Sequence, residues 1–301
     1  MKKLLAVISG LALLASTCPA LSAPVDAFKD LKGSLDIAGG TAHIPVMKAA
    51  AKAIMEANPN IHITVAGGGS GVGVQKVGEG LVQIGNTGRA LKDTEIAKYG
   101  LKSFPFAIDG VAVAVNPENA VKSLSKAQLK DIFAGKITNW KEVGGKDAAI
   151  AVYVREDGSG TRETFDGRAI DKTPYLPGAN TVSSNGAMKT AIAQNPDAIG
   201  YVGIGHLDKT VQGVTIDGMV PTQENAASGT YKITRLLYMN TGLVVVQAEP
   251  DELEHLLQRA RDGDALQPRR HRFRKEGRLY PILPEVTSRH RRRAGAVFSQ
   301  L

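Results

Sequence analysis

Three segments of the sequence combine glycine with hydroxyl side chains where an apolar run gives way to an amphipathic one: residues 39–42, 67–71 and 157–162. A helix that begins at such a segment presents unpaired N–H groups and the positive end of its dipole, which attract an anion. Glycine lets the backbone approach a ligand closely, and Ser or Thr adds a hydroxyl donor. Any one of these segments alone is more often a capped turn, but three together favour an anion site.

Arginines accompany these segments. Arg155 and Arg162 flank the third one, and Arg89 follows a turn after a predicted strand. The guanidinium group can hold an oxyanion by two parallel hydrogen bonds. A single arginine is usually a solvated surface charge, so the prediction depends on the combination.

Signatures of catalysis are missing from the sequence. We find no P-loop, no Gly-x-Ser-x-Gly nucleophile elbow and no histidine pair at metal-binding spacing. His43 follows the first segment and could reach a ligand, although a histidine on a helix face or surface is the commoner case. We therefore predict no catalytic residue, no metal, no cofactor and no enzymatic activity. A phosphoryl-handling hydrolase is the alternative, which would need a nucleophile with a base or a carboxylate-rich metal cluster.

The elements around these segments alternate between strands and helices. Apolar runs at residues 34–38 and 61–66 precede helical patterns, which predicts an α/β architecture with a parallel sheet. The long apolar strand at residues 106–115 is interrupted only by Asp109 and Gly110, where the chain could pass between two domains. A length of 301 residues allows two modest domains or one large one.

Charge is distributed unevenly along the chain. The formal net charge is +8, but residues 241–301 hold 11 arginines and one lysine, whereas residues 1–240 hold 20 lysines and five arginines. The body of the protein is therefore close to neutral. Aromatic residues make up only 5% of the chain, so few rings are available to stack on bases. A nucleic-acid partner is not supported.

The N-terminus is typical of an export signal. Lys2 and Lys3 precede an apolar run at residues 4–15 and small residues at 16–23, so we predict a signal peptide over residues 1–23 and a periplasmic location. The apolar run is too short to span a membrane. Lipid attachment at Cys18, the sole cysteine, is the alternative, but Thr17 is a poor match to the small residue that precedes such sites.

Several motifs resemble one protein family, and they occur in order over residues 33–240. The motifs lie at residues 66–71, 84–91, 131–140, 155–163, 184–187 and 198–203. The sequence resembles the periplasmic phosphate-binding components of high-affinity phosphate ABC transporters. The resemblance implies a two-lobed, type II periplasmic-binding-protein fold of the α/β class, each lobe a mostly parallel sheet flanked by helices. Lobe I would comprise residues 24–109 and 228–301, and lobe II residues 110–227.

The resemblance also implies a function and a binding site. The protein would capture inorganic phosphate as a monomer and deliver it to the membrane permease of an ABC transporter. Sulfate, molybdate or another tetrahedral oxyanion is the alternative ligand. The implied contacts come from Thr41, Ala42 and Ser70 in lobe I and from Arg155, Ser159, Gly160 and Thr161 in lobe II.

A site that selects phosphate over sulfate needs a hydrogen-bond acceptor in the protein, because phosphate at neutral pH carries a proton and sulfate does not. Arg89 occupies a position where some members of the family have a proton-accepting aspartate and others an arginine. Our hypothesis is that Asp109 accepts the proton and pairs with Arg89. The alternative is that Asp109 only caps a hinge turn.

The sequence departs from the family after Thr241. Relatives continue with a polar turn and a helix that completes lobe I, whereas this chain continues into arginine-rich runs at residues 268–272 and 290–293. The change in composition indicates an altered reading frame or a foreign tail. A native basic interaction tail is the alternative.

Overall fold

The computed structural model describes residues 28–242, which contain eleven strands, seven α-helices and three short 3-10 helices. The strands are β1 (Gly33–Gly39), β2 (Ile61–Gly68), β3 (Ile84–Thr87), β4 (Lys102–Val115), β5 (Ser123–Leu124), β6 (Ala151–Arg155), β7 (Asn180–Val182), β8 (Ala198–Gly203), β9 (Gln212–Gly213), β10 (Thr215–Ile216) and β11 (Thr234–Thr241). The helices are α1 (Ile44–Ala57), α2 (Gly69–Gly78), α3 (Asp93–Tyr99), α4 (Lys126–Phe133), α5 (Gly160–Arg168), α6 (Asn185–Gln194) and α7 (Gln223–Ala227). The 3-10 helices are Thr41–His43, Trp140–Val143 and Ile204–His206.

Nine strands are hydrogen-bonded in the order β2-β1-β3-β11-β4-β8-β6-β7, with β9 also beside β4. Strands β1, β2 and β3 are parallel to one another, and so are β6, β7 and β8. Strands β4 and β11 are antiparallel to their neighbours and join the two parallel groups. The predicted α/β architecture, with a mostly parallel sheet in each half, is therefore confirmed.

Strand β4 changes partner in its middle. Residues 102–110 pair with β11, and residues 111–115 pair with β8. A Cβ at Gly110 would lie 2.2 Å from Ile204 Cδ1, so glycine lets the Ile204 side chain pack directly against the strand. The change of partner falls at the predicted boundary between lobes I and II, although the exact lobe boundaries stay a prediction.

The two halves differ in their cores. The half around β6 and β8 has a large core that includes Trp140, Phe133, Phe165 and Tyr201, with the Phe165 and Tyr201 rings stacked 4.0 Å apart between centroids. Around β1 the buried side chains alternate in direction, so that Ile37 packs with residues of α1 on one face of the sheet and Ala38 packs with residues of α2 on the other. Helices thus cover both faces, as a parallel sheet requires.

Some predictions fall outside the described residues. The signal peptide, Cys18 and residues 243–301 of the tail are among them. Within residues 28–242, no helix combines the length and apolar character that crossing a membrane requires.

Candidate anion-binding site

Three strand-to-helix junctions converge on one small cavity. Strand β1 leads into the 3-10 helix Thr41–His43, β2 leads into α2, and β6 leads into α5. The cavity wall is formed by Gly40, Thr41, Ala42, His43, Gly69, Ser70, Gly88, Arg155, Ser159, Gly160, Thr161 and Arg235. The structure thus brings the three predicted segments together, and seven of the nine predicted contact residues lie in this wall.

The two sides of the cavity approach each other closely. A side chain at Gly160 would lie 2.4 Å from the Ser70 hydroxyl oxygen, so this position has space only for glycine. The backbone N–H of Gly71 donates to the carbonyl of Gly158 at 3.2 Å. The junctions before α2 and α5 are therefore in direct contact.

Helix N-termini supply donors to the cavity. Ser159 caps α5, its hydroxyl accepting the Arg162 N–H at 3.3 Å. The amides of Gly160 and Thr161 open the same helix, where no intrahelical acceptor exists for them. Helix α2 begins at Gly69 without a side-chain cap. Both helices consequently direct their positive dipole ends and free amides at the cavity.

Arg155 lies in the cavity wall and is only 1% exposed. Its Nε and Nη2 atoms donate to the Glu156 carboxylate at 2.8 and 2.7 Å, and also to the carbonyls of Val182 and Ser183. The third nitrogen, Nη1, is buried and has no acceptor among the described residues. A buried charged donor without a partner is unfavourable, which points to a ligand at this atom.

Asp109 has a different partner from the one that the sequence suggested. Its Oδ2 accepts from Nε and Nη2 of Arg235, at 2.9 and 2.8 Å, and both side chains are buried. The hypothesis that Asp109 pairs with Arg89 was wrong. The reason is strand register, since Asp109 and Arg235 lie directly opposite each other on β4 and β11. Asp109 is not part of the cavity wall, but Arg235 is.

Arg89 points away from the cavity. It donates to both carboxylate oxygens of Glu95, at 2.8 and 2.7 Å, and its Nε lies 3.1 Å from Oε2 of Glu163 on α5. Burial opposes the charge of Arg89, but the hydrogen bond with Glu95 and the charge of Glu163 outweigh it and raise its pKa. Arg89 therefore joins the two halves at the rim of the cavity instead of lining it.

Sequence reasoning did not identify Asn185, which also joins the two halves. Its backbone N–H and Nδ2 donate to the Thr41 hydroxyl at 3.1 and 2.8 Å, and Nδ2 lies 3.3 Å from the Thr161 hydroxyl. Its Oδ1 accepts the Gly203 N–H at 3.0 Å, and the residue is fully buried. The signal available in the sequence was the motif at residues 184–187.

His43 is neither a surface residue nor on an exposed helix face, so the expectation that it would be one of these was wrong. It is fully buried, lines the cavity and packs against Phe106, with the ring centroids 5.7 Å apart. Neither ring nitrogen has a hydrogen-bond partner among the described residues. Burial, together with the nearby charge of Arg235, lowers the pKa of His43 to about 3. The imidazole is therefore neutral at physiological pH.

The described residues contain no cluster of three or more His, Cys, Asp or Glu side chains that could hold a metal ion. The polar groups of the cavity are instead hydroxyls, amides, two guanidinium groups and one neutral imidazole. This set of donors suits a small oxyanion.

Two groups of parallel strands, joined by antiparallel strands and enclosing a donor-rich cavity, form a two-lobed binding protein of the type II fold. Residues 26–243 match the PBP superfamily domain. A Clostridium perfringens substrate-binding protein solved with bound phosphate is 35% identical, with a TM-score of 0.66 over 75% of this chain and 93% of that one. An ABC-type phosphate transport receptor from Vibrio cholerae is 33% identical, with a TM-score of 0.54 over 74% of this chain and 92% of that one.

Curated proteins agree with these structures. The phosphate-binding protein PstS of Bacillus subtilis is 46% identical over 203 residues, which cover 67% of each chain. The chain belongs to the PBP superfamily and, within it, to the PstS-like phosphate-binding proteins. This is a family of substrate-binding proteins and not of enzymes.

Proposed function

We propose that the protein binds inorganic phosphate in the cavity between its lobes and delivers it to the membrane permease of an ABC transporter. The observation that carries the proposal is Nη1 of Arg155, a buried charged donor that has no acceptor among residues 28–242 and lies in a wall of helix N-termini. The family relationship supports phosphate as the anion, since the relatives named above are phosphate-binding proteins.

The proposed contacts come from both lobes. Lobe I would provide the Thr41 and Ser70 hydroxyls and the Ala42 amide. Lobe II would provide Arg155, the Ser159 hydroxyl and the amides of Gly160 and Thr161. We add Arg235 to these contacts, because it lies in the same cavity wall. Arg89 and Asp109 are left out, because they do not line the cavity.

Charge alone does not explain binding. Arg155 pairs with Glu156, and Arg235 pairs with Asp109, so each guanidinium is partly neutralised before a ligand arrives. Hydrogen bonds from amides and hydroxyls, together with two helix dipoles, would therefore provide much of the stabilisation. Such a site holds a dehydrated oxyanion by many short-range donors.

The geometry of the cavity argues against a hydrolase. The hydroxyl of Ser70 accepts the Gly88 N–H at 3.0 Å, and His43 hydrogen-bonds to no described serine. We accordingly propose that the protein performs no covalent chemistry.

Export to the periplasm and action as a monomer complete the proposal. The predicted signal peptide supports export, and a single cavity shared by two lobes of one chain needs no second subunit. The permease would recognise the closed, phosphate-loaded form.

Calorimetric titration tests the proposal. Ligand-stripped protein should bind phosphate at one site and should bind sulfate and molybdate much more weakly, and it should release no product from a generic phosphate ester. Preferential sulfate or molybdate binding would preserve the fold assignment and overturn the ligand. Absence of anion binding by folded protein would contradict the proposal.

A further inference from the structure

His43 is the cavity residue whose polar groups the structure leaves least satisfied. Its ring is fully buried, and both nitrogens lack a hydrogen-bond partner among the described residues. A side chain at Gly40 would lie 2.7 Å from Nδ1, and Gly40 itself lines the cavity. Glycine at this position therefore lets the imidazole pack directly against the cavity wall.

A neutral imidazole differs from the other polar groups around the cavity. Amides and guanidinium groups only donate, and the low pKa of His43 keeps its ring uncharged, with one N–H donor and one lone pair. The Ser70 hydroxyl already accepts from Gly88, and the Ser159 hydroxyl already accepts from Arg162. The ring nitrogen thus provides an acceptor that is not yet occupied.

Backbone carbonyl groups lie near the His43 ring. The carbonyl groups of Gly40, Thr87 and Tyr238 lie close enough to favour a proton on the ring, although none forms a hydrogen bond of good geometry with it. Thr87 and Tyr238 are opposite each other on β3 and β11. Carbonyl oxygens only accept, so a ring nitrogen that faces one of them is better protonated, and a neutral ring then keeps its lone pair on the other nitrogen.

We propose that the unprotonated ring nitrogen of His43 accepts the hydrogen of monohydrogen phosphate and so distinguishes phosphate from sulfate. This inference rests on the proposed function of the same cavity. A sulfate oxygen carries no hydrogen, so it would face a lone pair in a buried site, which is unfavourable. Reversing the tautomer would relieve that contact only by turning a lone pair toward the carbonyl oxygens.

Asp109, the acceptor suggested by the sequence, is less suitable. Its Oδ2 already accepts two hydrogen bonds from Arg235, and the residue does not line the cavity. Its carboxylate would instead hold the Arg235 guanidinium in place. Asp109→Asn should consequently weaken phosphate and sulfate binding to similar extents.

Affinity ratios test the inference. His43→Phe keeps a ring beside Phe106 but removes both nitrogens, and we expect it to reduce the phosphate-to-sulfate affinity ratio by about 10- to 100-fold. His62→Phe, at an exposed position of β2, is the matched control and should leave the ratio unchanged. Titrations with phosphate and sulfate, alongside thermal melting, measure both. An unchanged ratio in folded His43→Phe protein, or a collapse of the ratio in Asp109→Asn alone, would overturn the inference.

A measurement on the unaltered protein covers the case in which His43→Phe does not fold. In nitrogen-15 histidine NMR spectra, phosphate should shift the unprotonated His43 nitrogen in the direction expected for a new hydrogen bond, and sulfate should not. Phosphate binding without this shift would contradict the role of His43 while leaving the proposed function intact. If the unaltered protein binds no phosphate, the proposed function itself fails.

Discussion

Arg155, which is buried in the cavity wall, and Arg89, which is half-buried at its rim, illustrate two uses of an arginine. Arg155 satisfies two of its three guanidinium nitrogens with Glu156 and two carbonyls, and its buried Nη1 has no partner in the part of the chain that the structure describes. Arg89 is held by Glu95 and lies in an ion pair with Glu163 from the opposite half. Both residues flank glycine-rich loops in the sequence. Nε of Arg89 also lacks a hydrogen bond of good geometry, but it lies 3.1 Å from Oε2 of Glu163, whereas Nη1 of Arg155 belongs to a residue of the cavity wall.

This difference in hydrogen bonding distinguishes a group that binds a ligand from a group that holds the two lobes together. Polar groups without a protein partner mark the place of a ligand, because leaving them buried and unpaired is unfavourable. Charges that are already paired across the interface stabilise the closed arrangement instead. The four following predictions test this distinction, from the largest expected effect to the smallest.

Arg155→Ala should weaken phosphate binding by at least about 100-fold, because it removes a buried charged hydrogen bond to the anion. Arg155→Lys keeps the charge but loses the planar fork, and should restore only part of the affinity. Calorimetry measures both variants. Phosphate affinity within a few-fold of the unaltered protein in Arg155→Ala would show that Nη1 does not face the ligand.

Arg235→Met should lower both affinity and stability. It leaves the Asp109 carboxylate buried without its partner, a change that destabilises proteins by about 3–5 kcal/mol. The double variant Asp109→Leu with Arg235→Met removes both charges, so it should recover much of the stability but not the phosphate affinity. Chemical denaturation and titration distinguish the two effects. Full recovery of binding in the double variant would exclude Arg235 as a contact.

Asn185→Ala should weaken phosphate binding about 5- to 10-fold, since it removes the side-chain hydrogen bond that connects Thr41 to the other lobe, although Asn185 is not itself a proposed contact of the ligand. The backbone N–H bond to Thr41 remains, which limits the loss. Stopped-flow measurements should assign most of the change to faster release. A change confined to the association rate would argue against this role in closure.

Arg89→Gln and Glu163→Gln should each change phosphate affinity by less than about 3-fold, because neither residue lines the cavity and the ion pair between them is partly exposed on the Glu163 side. Their small effects should diminish further at high salt. Titrations at low and high ionic strength provide the measurement. A loss of affinity in Arg89→Gln as large as that in Arg155→Ala would indicate that Arg89 contacts the ligand, and that the two arginines do not differ in role.

Local patterns predicted much of the architecture. Glycine and hydroxyl residues between an apolar run and a helical pattern predicted the junctions before α2 and α5, because the chemistry of a strand-to-helix turn lies within a few residues. The motif at residues 155–163 placed Arg155 beside the third junction for the same reason. Helix α3 was not predicted, and it is a short helix without any buried residue.

Long-range pairing could not be predicted from the same patterns. Asp109 and Arg235 meet because β4 and β11 pair in one particular register, across 126 residues of sequence. The signal available in the sequence was Arg235, an arginine within β11, but the partner of this arginine depends on the strand register. The burial of His43 likewise depends on Phe106, a residue of the distant strand β4.

A crystal structure of the protein grown with phosphate tests the central claim most directly. We predict one tetrahedral anion in the cavity, within hydrogen-bond distance of Arg155 Nη1 and of the Gly160 and Thr161 amides. An anion bound elsewhere, or a closed cavity in which Arg155 Nη1 remains without a ligand, would contradict the account.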